Sequence, residues 1–295
     1  MLRGLITALR PEQWTKNLVL FAGLVFAGSL SDMALVRLAA SGFAVFCLLS
    51  GATYLLNDIV DVRRDREHPE KRLRPIASGQ LPAAVAGVFA AVAAVLASAW
   101  AFRLSPGFGY TAAGYLALNV LYSLALRKMV ILDVMAIATG FVLRAVGSVE
   151  VLRSVAPGTD LSPWLLVCTF FLALFLGLGK RRHEVMALGD SARVHRSALE
   201  HYPPALVDAL MVVVTASAIV SYAIYTIWPG TVERIGSASL VYTVPFVVYG
   251  MLRYLYLIFA VGRGGKPSRA LVTDLPLSIT VLLWIGAVIA ILYSS

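Results

Sequence analysis

The 295-residue chain is 59% hydrophobic and 14% charged, with a mean hydropathy of +0.82, and these values exclude an ordinary soluble domain. Its formal charge of +9 could attract nucleic acid, but basic loops beside membrane spans account for the charge, and we expect no nucleic-acid partner. Cys47 and Cys168 both lie in apolar stretches, so we predict buried core residues and not a disulfide or a metal pair.

The apolar residues fall into stretches of about 20, and an α-helix of that length crosses the roughly 30 Å of hydrocarbon in a bilayer. We therefore predict an all-α, polytopic membrane protein with about nine transmembrane helices. No connection between them is long enough for a soluble domain, so residues 1–295 are predicted to form a single transmembrane domain. In chain order the predicted spans are 17–30, 36–56, 82–102, 107–126, 130–149, 164–179, 204–228, 238–260 and 275–293.

Basic residues concentrate in every second loop of this arrangement. The loops on the other side hold little beyond Arg37, Arg103, Arg153 and Arg234. Because loops rich in Lys and Arg stay in the cytoplasm, we predict a multi-pass protein of the cell inner membrane, with its N-terminus and active site on the cytoplasmic side. The basic loops include residues 63–74, 127–128, 180–196 and 263–269.

An acidic cluster lies where the second predicted span ends. Asp58, Asp61 and Asp65 are spaced i, i+3 and i+7, and Asn57 precedes them. If the helix continues past the membrane core, this spacing places the three carboxylates on one face. Like charges so close together repel unless a cation lies among them, and Mg²⁺ often binds one or two carboxylates together with substrate phosphates. The cluster therefore predicts a magnesium site.

The alternative is a solvated helix end whose acidic residues pair with Arg63, Arg64 and Arg66. Two features favour a functional site. The cluster begins inside an apolar span, where ionisable side chains are costly. Basic residues also follow it directly, at 71–74. Carboxylates for a metal beside cations for phosphate are what a diphosphate leaving group requires.

The acidic cluster resembles a known motif. The spacing of its residues is similar to the first aspartate-rich motif of the UbiA superfamily of intramembrane prenyltransferases. The longer segment 65–79 resembles one branch of that superfamily, the decaprenyl-phosphate phosphoribosyltransferases. The resemblance implies a helical bundle of nine spans around a central cavity. Further matches to the branch are Arg10-Pro11-x-Gln13-Trp14-x-Lys16-Asn17, Arg144-Ala145 and Gly179-Lys180-Arg181.

One departure from the wider superfamily concerns the loop after the sixth predicted span. Ordinary prenyltransferases carry a second aspartate-rich motif there, whereas residues 180–190 read KRRHEVMALGD and contain no D-x-x-x-D. A loop rich in cations and poor in acids suits an anion bound without metal, such as a sugar phosphate or a lipid monophosphate. This difference favours the phosphoribosyltransferase branch.

The resemblance to that branch implies an activity and a set of site residues. The reaction is the Mg²⁺-dependent transfer of 5-phosphoribosyl from 5-phosphoribosyl 1-diphosphate to a polyprenyl (decaprenyl-type) phosphate, with release of pyrophosphate, for synthesis of cell-wall arabinan precursors. Asp58 and Asp61 are the implied catalytic residues, and Asn57, Asp58, Asp61 and Asp65 are the implied metal ligands. The implied substrate-binding residues are Lys16, Asn17, Arg66, His68, Lys71, Arg72, Arg74, Tyr122, Arg127, Arg144, Lys180 and Arg181.

Several of these residues have ordinary alternatives. Lys16 and Tyr122 lie where interfacial anchors of membrane proteins are common. Arg144 lies deep in the fifth predicted span, where an arginine either joins a structural pair or lines a cavity. Asp133 could orient a basic residue of the loop that precedes it.

Two rival functions stay open. A conventional prenyltransferase would move an isoprenoid from its diphosphate to an aromatic acceptor, and the missing second acidic motif counts against it. A membrane transporter would line a solute path with intramembrane charges, but this leaves the acidic cluster and the adjoining basic loop unexplained. Besides the two substrates, we expect membrane lipid as a partner, and a homo-oligomer is compatible with the sequence.

Overall fold

The computed structural model describes residues 1–26, 28–156, 158, 162–188, 202–262 and 267–294. Regular secondary structure in these ranges is helical, with no strand, which confirms the predicted all-α class. Parts of two predicted basic loops, 189–201 and 263–266, lie outside the described residues.

The helices follow the apolar pattern, but local capping residues set their ends. At the start of α3, for example, the Asp32 carboxylate accepts the backbone N–H of Ala34 at 2.8 Å and of Leu35 at 3.3 Å. The 3-10 helices are Pro11–Phe21, Lys71–Leu73, Leu126–Lys128 and Ser239–Thr243. The α-helices are α1 (Leu2–Ala8), α2 (Ala22–Phe26), α3 (Met33–Val60), α4 (Val62–Glu67), α5 (Ala83–Leu104), α6 (Pro106–Leu124), α7 (Leu132–Glu150), α8 (Pro163–Leu188), α9 (Pro204–Ile227), α10 (Pro229–Ile235), α11 (Val244–Phe259), α12 (Pro267–Thr273) and α13 (Leu275–Ser294).

Seven helices of the described chain are long and apolar enough to cross a membrane. The predicted count of nine is not confirmed, although a polytopic membrane protein is. The fourth predicted span corresponds to α6, whose 19 residues include Thr111 and Asn119 and which is not among the seven. The seven spans are Met33–Val60, Ala83–Leu104, Leu132–Glu150, Pro163–Met186, Pro204–Ile227, Ser239–Phe259 and Leu275–Tyr293.

The first predicted span, 17–30, is not a continuous α-helix. The chain instead forms the 3-10 helix Pro11–Phe21 and then the short α2. Close packing in α2 requires a glycine, because a Cβ atom on Gly23 would overlap the carbonyl of Ser148. The Gly23 N–H also donates to the Ser148 hydroxyl at 3.1 Å. Hydropathy predicts that this segment is apolar, but the tertiary contact between Gly23 and Ser148 helps to set its backbone conformation.

The helices form two compact units. Unit 1 contains Met1–Leu124 and Leu143–Asp160, and unit 2 contains Ala125–Val142 and Leu161–Ser295. In unit 1, α3 packs on α5 along a row of buried alanines, and small side chains let helix backbones approach closely. The row consists of Ala86, Ala90, Ala93, Ala97 and Ala101.

Unit 2 is organised around the pair of α8 and α9. Its core is apolar and partly aromatic, with the rings of Phe175 and Tyr254 packed edge to face at 5.4 Å between centroids. Arg253 forms a two-pronged ion pair with Asp274, at 3.1 and 2.9 Å. The prediction of a single domain over residues 1–295 stays a prediction.

Candidate active site

The acidic cluster lies at the end of α3, where the helical path has a slight break. Asp61 ends α3 with φ −92° and ψ 2°, and α4 begins at the next residue. Hydrogen bonds continue across the junction, because the Asp61 N–H donates to the Asn57 carbonyl at 2.9 Å and the Asp65 N–H donates to the Asp61 carbonyl at 2.8 Å. The helical spacing that the sequence predicted therefore persists from Asn57 to Asp65.

Two of the three aspartates are almost fully buried and converge on one arginine. Asp58 and Asp65 are each 2% exposed. The Nη1 atom of Arg74 lies 3.1 Å from Asp58 Oδ1 and 2.7 Å from Asp65 Oδ2. Because one nitrogen donates to both carboxylates, their oxygens are close enough to share a single cation. Asp61, which lies between these two aspartates in the sequence, is half-buried.

A second arginine, Arg10, completes this cluster. Its Nη2 atom lies 2.5 Å from Asp58 Oδ1, and its guanidinium lies over the Tyr54 ring at 5.0 Å from the centroid. Arg10 was absent from the predicted site residues, although it belongs to the N-terminal segment that resembles the phosphoribosyltransferase branch. The signal that could have found it is charge balance, because a carboxylate buried at the end of an apolar span needs a cationic partner.

The amide of Asn57 is also fixed. Its Oδ1 atom accepts a short hydrogen bond from the hydroxyl of Ser123, which is buried at the end of α6. The neighbouring Tyr122 is half-buried in the same helix. The structure therefore places Asn57 and Tyr122 at adjacent helix ends of unit 1.

The donor set of the acidic cluster fits a magnesium–diphosphate complex better than a bare ion. Within the described ranges, no group of three or more His, Cys, Asp or Glu side chains is arranged to hold a metal. The convergent pair Asp58 and Asp65 nevertheless offers hard oxygen ligands, and the Asn57 amide adds another nearby. Mg²⁺ commonly needs only one or two carboxylates when phosphate oxygens and waters complete its shell.

The segment after α4 is a compact basic turn. His68 Nδ1 accepts the backbone N–H groups of Glu70 at 3.2 Å and Lys71 at 3.3 Å, so this histidine shapes the turn. Arg66 Nε donates to the Ala77 carbonyl at 3.2 Å. Arg72 is exposed to solvent. Among the predicted phosphate-binding residues of this turn, Arg74 contacts Asp58 and Asp65, and Arg66 and His68 hydrogen-bond to the backbone.

A buried polar network surrounds Arg144 in unit 1. Arg144 Nε donates to Asn17 Oδ1 at 2.8 Å, and Arg144 Nη2 donates to the Tyr115 hydroxyl at 2.8 Å. The Asn17 amide in turn donates to Cys47 Sγ and Ser50 Oγ, each at 3.3 Å. These hydrogen bonds offset the free-energy cost of burying the charged side chain of Arg144. Lys16, next to Asn17, is exposed.

The remaining predicted residues belong to unit 2. Arg181 is buried and pairs with Asp133 at 2.6 Å and with Glu184 at 2.5 Å. The expectation that Asp133 orients a basic residue of the preceding loop is thus replaced by a pair with Arg181. Lys180 is exposed and lies 3.8 Å from Glu184. Arg127 is half-buried in the 3-10 helix Leu126–Lys128.

Comparison with known proteins identifies the family. Residues 17–271 match the model of the UbiA prenyltransferase family. The chain is 34% identical over 309 residues to a decaprenyl-phosphate phosphoribosyltransferase of Mycolicibacterium smegmatis, covering 100% of this chain and 94% of that protein. It is 32% identical over 298 residues to the protein of the same name from Corynebacterium glutamicum, covering 98% and 87%. The chain therefore belongs to the UbiA prenyltransferase family, a family of membrane transferases, and the predicted resemblance is confirmed.

A solved structure shares the fold. A UbiA homologue from Archaeoglobus fulgidus bound to DMAPP and Mg²⁺ superposes with a TM-score of 0.74 at 18% identity, covering 98% of both chains. This likeness supports the helical architecture of a multi-pass membrane protein.

Proposed function

We propose that the protein transfers 5-phosphoribosyl from 5-phosphoribosyl 1-diphosphate to a polyprenyl phosphate of the decaprenyl type and releases pyrophosphate. The observation that carries this proposal is the similarity, over nearly the whole chain, to two proteins named for this activity. The buried pair Asp58 and Asp65 beside Arg74 supports it, because a diphosphate donor needs both metal ligands and cations.

The acidic cluster holds the leaving end of the donor. Asp58, Asp61 and Asp65, with the Asn57 amide, are the ligands of Mg²⁺, which when bound neutralises charge on the departing pyrophosphate. Arg74, with Lys71 and Arg72 of the same turn, binds phosphate oxygens. Asp58 and Asp61 would be the catalytic residues, because their carboxylates would hold the ion that supplies positive charge to the departing pyrophosphate.

The sugar end of the reaction needs positioning more than proton transfer. The bond from the anomeric carbon to pyrophosphate breaks, and a bond from that carbon to an oxygen of the lipid phosphate forms. The carbon passes through an oxocarbenium-like state, as in other glycosyl transfers. A phosphate acceptor is already largely ionised near neutral pH, so no strong general base is required. Catalysis depends on orientation and charge stabilisation.

The other residues that the sequence resemblance implies contribute to substrate binding, and those of unit 1 include the buried Arg144 network. The active site faces the cytoplasm at the inner membrane, and the isoprenoid tail of the acceptor lies in the lipid. The residues in this group are Lys16, Asn17, Arg66, His68, Tyr122, Arg127, Arg144, Lys180 and Arg181.

One assay tests the function. Purified protein in detergent is supplied with Mg²⁺, a polyprenyl phosphate and donor labelled in the ribose ring, and label is counted after extraction into organic solvent. We expect label in the lipid fraction that depends on both Mg²⁺ and the polyprenyl phosphate. The matched control is Arg63→Ala, which removes an exposed arginine of α4 and should leave the rate unchanged.

Two outcomes would contradict the proposal. Label that stays in the aqueous phase, while an aromatic acceptor is prenylated from an isoprenoid diphosphate, would establish the conventional prenyltransferase. Label that enters lipid without any polyprenyl phosphate would identify a different acceptor.

A further inference from the structure

Two arginines donate hydrogen bonds to the Asp58 carboxylate. Its Oδ1 atom accepts from Arg10 Nη2 at 2.5 Å and from Arg74 Nη1 at 3.1 Å, and the same Arg74 nitrogen bonds Asp65 at 2.7 Å. Any metal ion bound by both aspartates must therefore compete with guanidinium groups for the same oxygens.

The backbone of Arg10 is held in an unfavourable conformation. Its φ is 52° and its ψ is 64°, in the left-handed region, and the next residue is Pro11. Non-glycine residues rarely adopt this region, and a residue before proline favours extended backbone. Strain of this kind persists where surrounding contacts over-determine it, often at functional sites. Here the contacts are the ion pair with Asp58 and the stacking on Tyr54.

Charge balance within this cluster disfavours a lone metal ion. Asp58, Asp65, Arg10 and Arg74 together sum to zero, and the two carboxylates are almost fully buried whereas the two arginines are 25% and 29% exposed. With the half-buried Asp61 included the net charge of the cluster is −1, so a divalent cation added alone would leave an excess of one positive charge. A divalent cation that arrives with a diphosphate adds no such excess, because the phosphates also give the guanidinium groups new acceptors.

We propose that Arg10 and Arg74 compete with free metal ions for the carboxylate oxygens of Asp58 and Asp65. The metal ion and the diphosphate of the donor therefore bind together and not separately. This inference rests on the proposed function, because it takes the donor to be a diphosphate. When the complex binds, both arginines turn from the carboxylates to phosphate oxygens. Binding of metal and binding of diphosphate are then positively coupled, and Arg10 is a diphosphate-positioning residue.

If the binding of metal and of diphosphate is coupled, a single substitution should change the affinities for free metal and for the metal–diphosphate complex in opposite directions. Arg10→Ala removes a competitor of the metal and a ligand of the diphosphate at the same time. Free Mn²⁺ should bind about tenfold more tightly, and the Mn²⁺–pyrophosphate complex about tenfold more weakly, for one close charge pair at a partly exposed site. A purely structural ion pair would lower thermal stability without moving the two affinities in opposite directions.

The experiment measures Mn²⁺ binding to the purified protein in detergent at pH 8 by electron paramagnetic resonance, with and without inorganic pyrophosphate. Arg10→Lys keeps the charge and should leave free Mn²⁺ binding weak. Arg63→Ala removes an exposed arginine of α4 and should change neither affinity. A thermal melt of each variant identifies any that fails to fold, in which case Arg74→Lys and Arg74→Ala are compared in the same way.

Free Mn²⁺ binding that is unchanged or weaker in Arg10→Ala would overturn the coupling. The proposed function fails separately: if Arg10→Ala shifts the two affinities in opposite directions relative to wild type, but the wild-type protein transfers no labelled phosphoribosyl group to lipid, the donor is a different diphosphate and the coupling stands.

Discussion

At Asp58, a carboxylate that is almost fully buried accepts hydrogen bonds from arginines 48 and 16 positions away in the chain. An unpaired charge buried in this way would be costly, and the two arginines offset part of that cost. Asp58 could be predicted as a site residue because its spacing from Asp61 and Asp65 is visible within one short stretch of sequence. The sequence did not predict Arg10, because the pair depends on the path of the chain between the two residues.

Asp58→Asn tests the role of the charge with little change in shape. The amide can still accept a hydrogen bond from an arginine, so we expect the melting temperature in detergent to change little. The rate of label transfer to lipid should fall by about 10²- to 10³-fold, the effect of losing one electrostatic stabiliser of a transition state.

The matched control for Asp58→Asn is the same substitution at the other end of α3. Asp32 is an exposed N-cap, and asparagine caps a helix about as well as aspartate, so Asp32→Asn should alter neither stability nor rate. A full transfer rate in Asp58→Asn would refute the metal and diphosphate assignment.

Among the elements, long apolar helices were predicted well because hydropathy is a local property. The predicted span 36–56 lies inside Met33–Val60, and 82–102 almost coincides with Ala83–Leu104. Helix ends were less accurate, because side chains such as Asp32 set them. The segment 17–30 was wrong as a continuous helix, because packing of Gly23 against another helix is a tertiary effect.

Contacts between elements were the least predictable part of unit 2. The Tyr202 hydroxyl donates to Asp133 at 2.7 Å and accepts the Ile131 N–H at 2.6 Å, and Asp133 also pairs with Arg181. Ile131 has a φ of 69°, which is rare for a β-branched residue. Burial, and then the bond to Asp133, raise the pKa of Tyr202, so its hydroxyl stays protonated and can donate at physiological pH.

Tyr202→Phe should therefore destabilise unit 2. The change leaves the Ile131 N–H and one oxygen of Asp133 without this partner, and a buried polar group that loses its partner costs about 1–3 kcal/mol. We expect a melting temperature several degrees lower in detergent. Tyr242→Phe, at a tyrosine that is 75% exposed, is the control and should melt like the wild type. Equal melting of both variants would show that the Tyr202 hydroxyl does not hold these elements together.

For the whole molecule, composition and loop charge predict a multi-pass membrane protein, and the family comparison agrees. The contacts of the predicted site residues are of two kinds, those within one segment of the chain and those between distant segments. Asp58, Asp65 and Arg74 were predicted and do meet, because they lie within one continuous segment. Arg181 lies in a buried pair with Asp133, and its substrate-binding role stays a prediction. Such long-range pairing depends on the tertiary fold and could not be inferred from spacing.

The most direct test is an experimental structure of the protein with Mg²⁺ and 5-phosphoribosyl 1-diphosphate, without acceptor, compared with the protein alone. We predict the diphosphate and metal at Asp58 and Asp65, with Arg10 and Arg74 moved from the carboxylates to phosphate oxygens. Donor bound elsewhere, with the Arg10–Asp58 and Arg74–Asp65 pairs intact, would contradict the proposal that this cluster binds the leaving diphosphate.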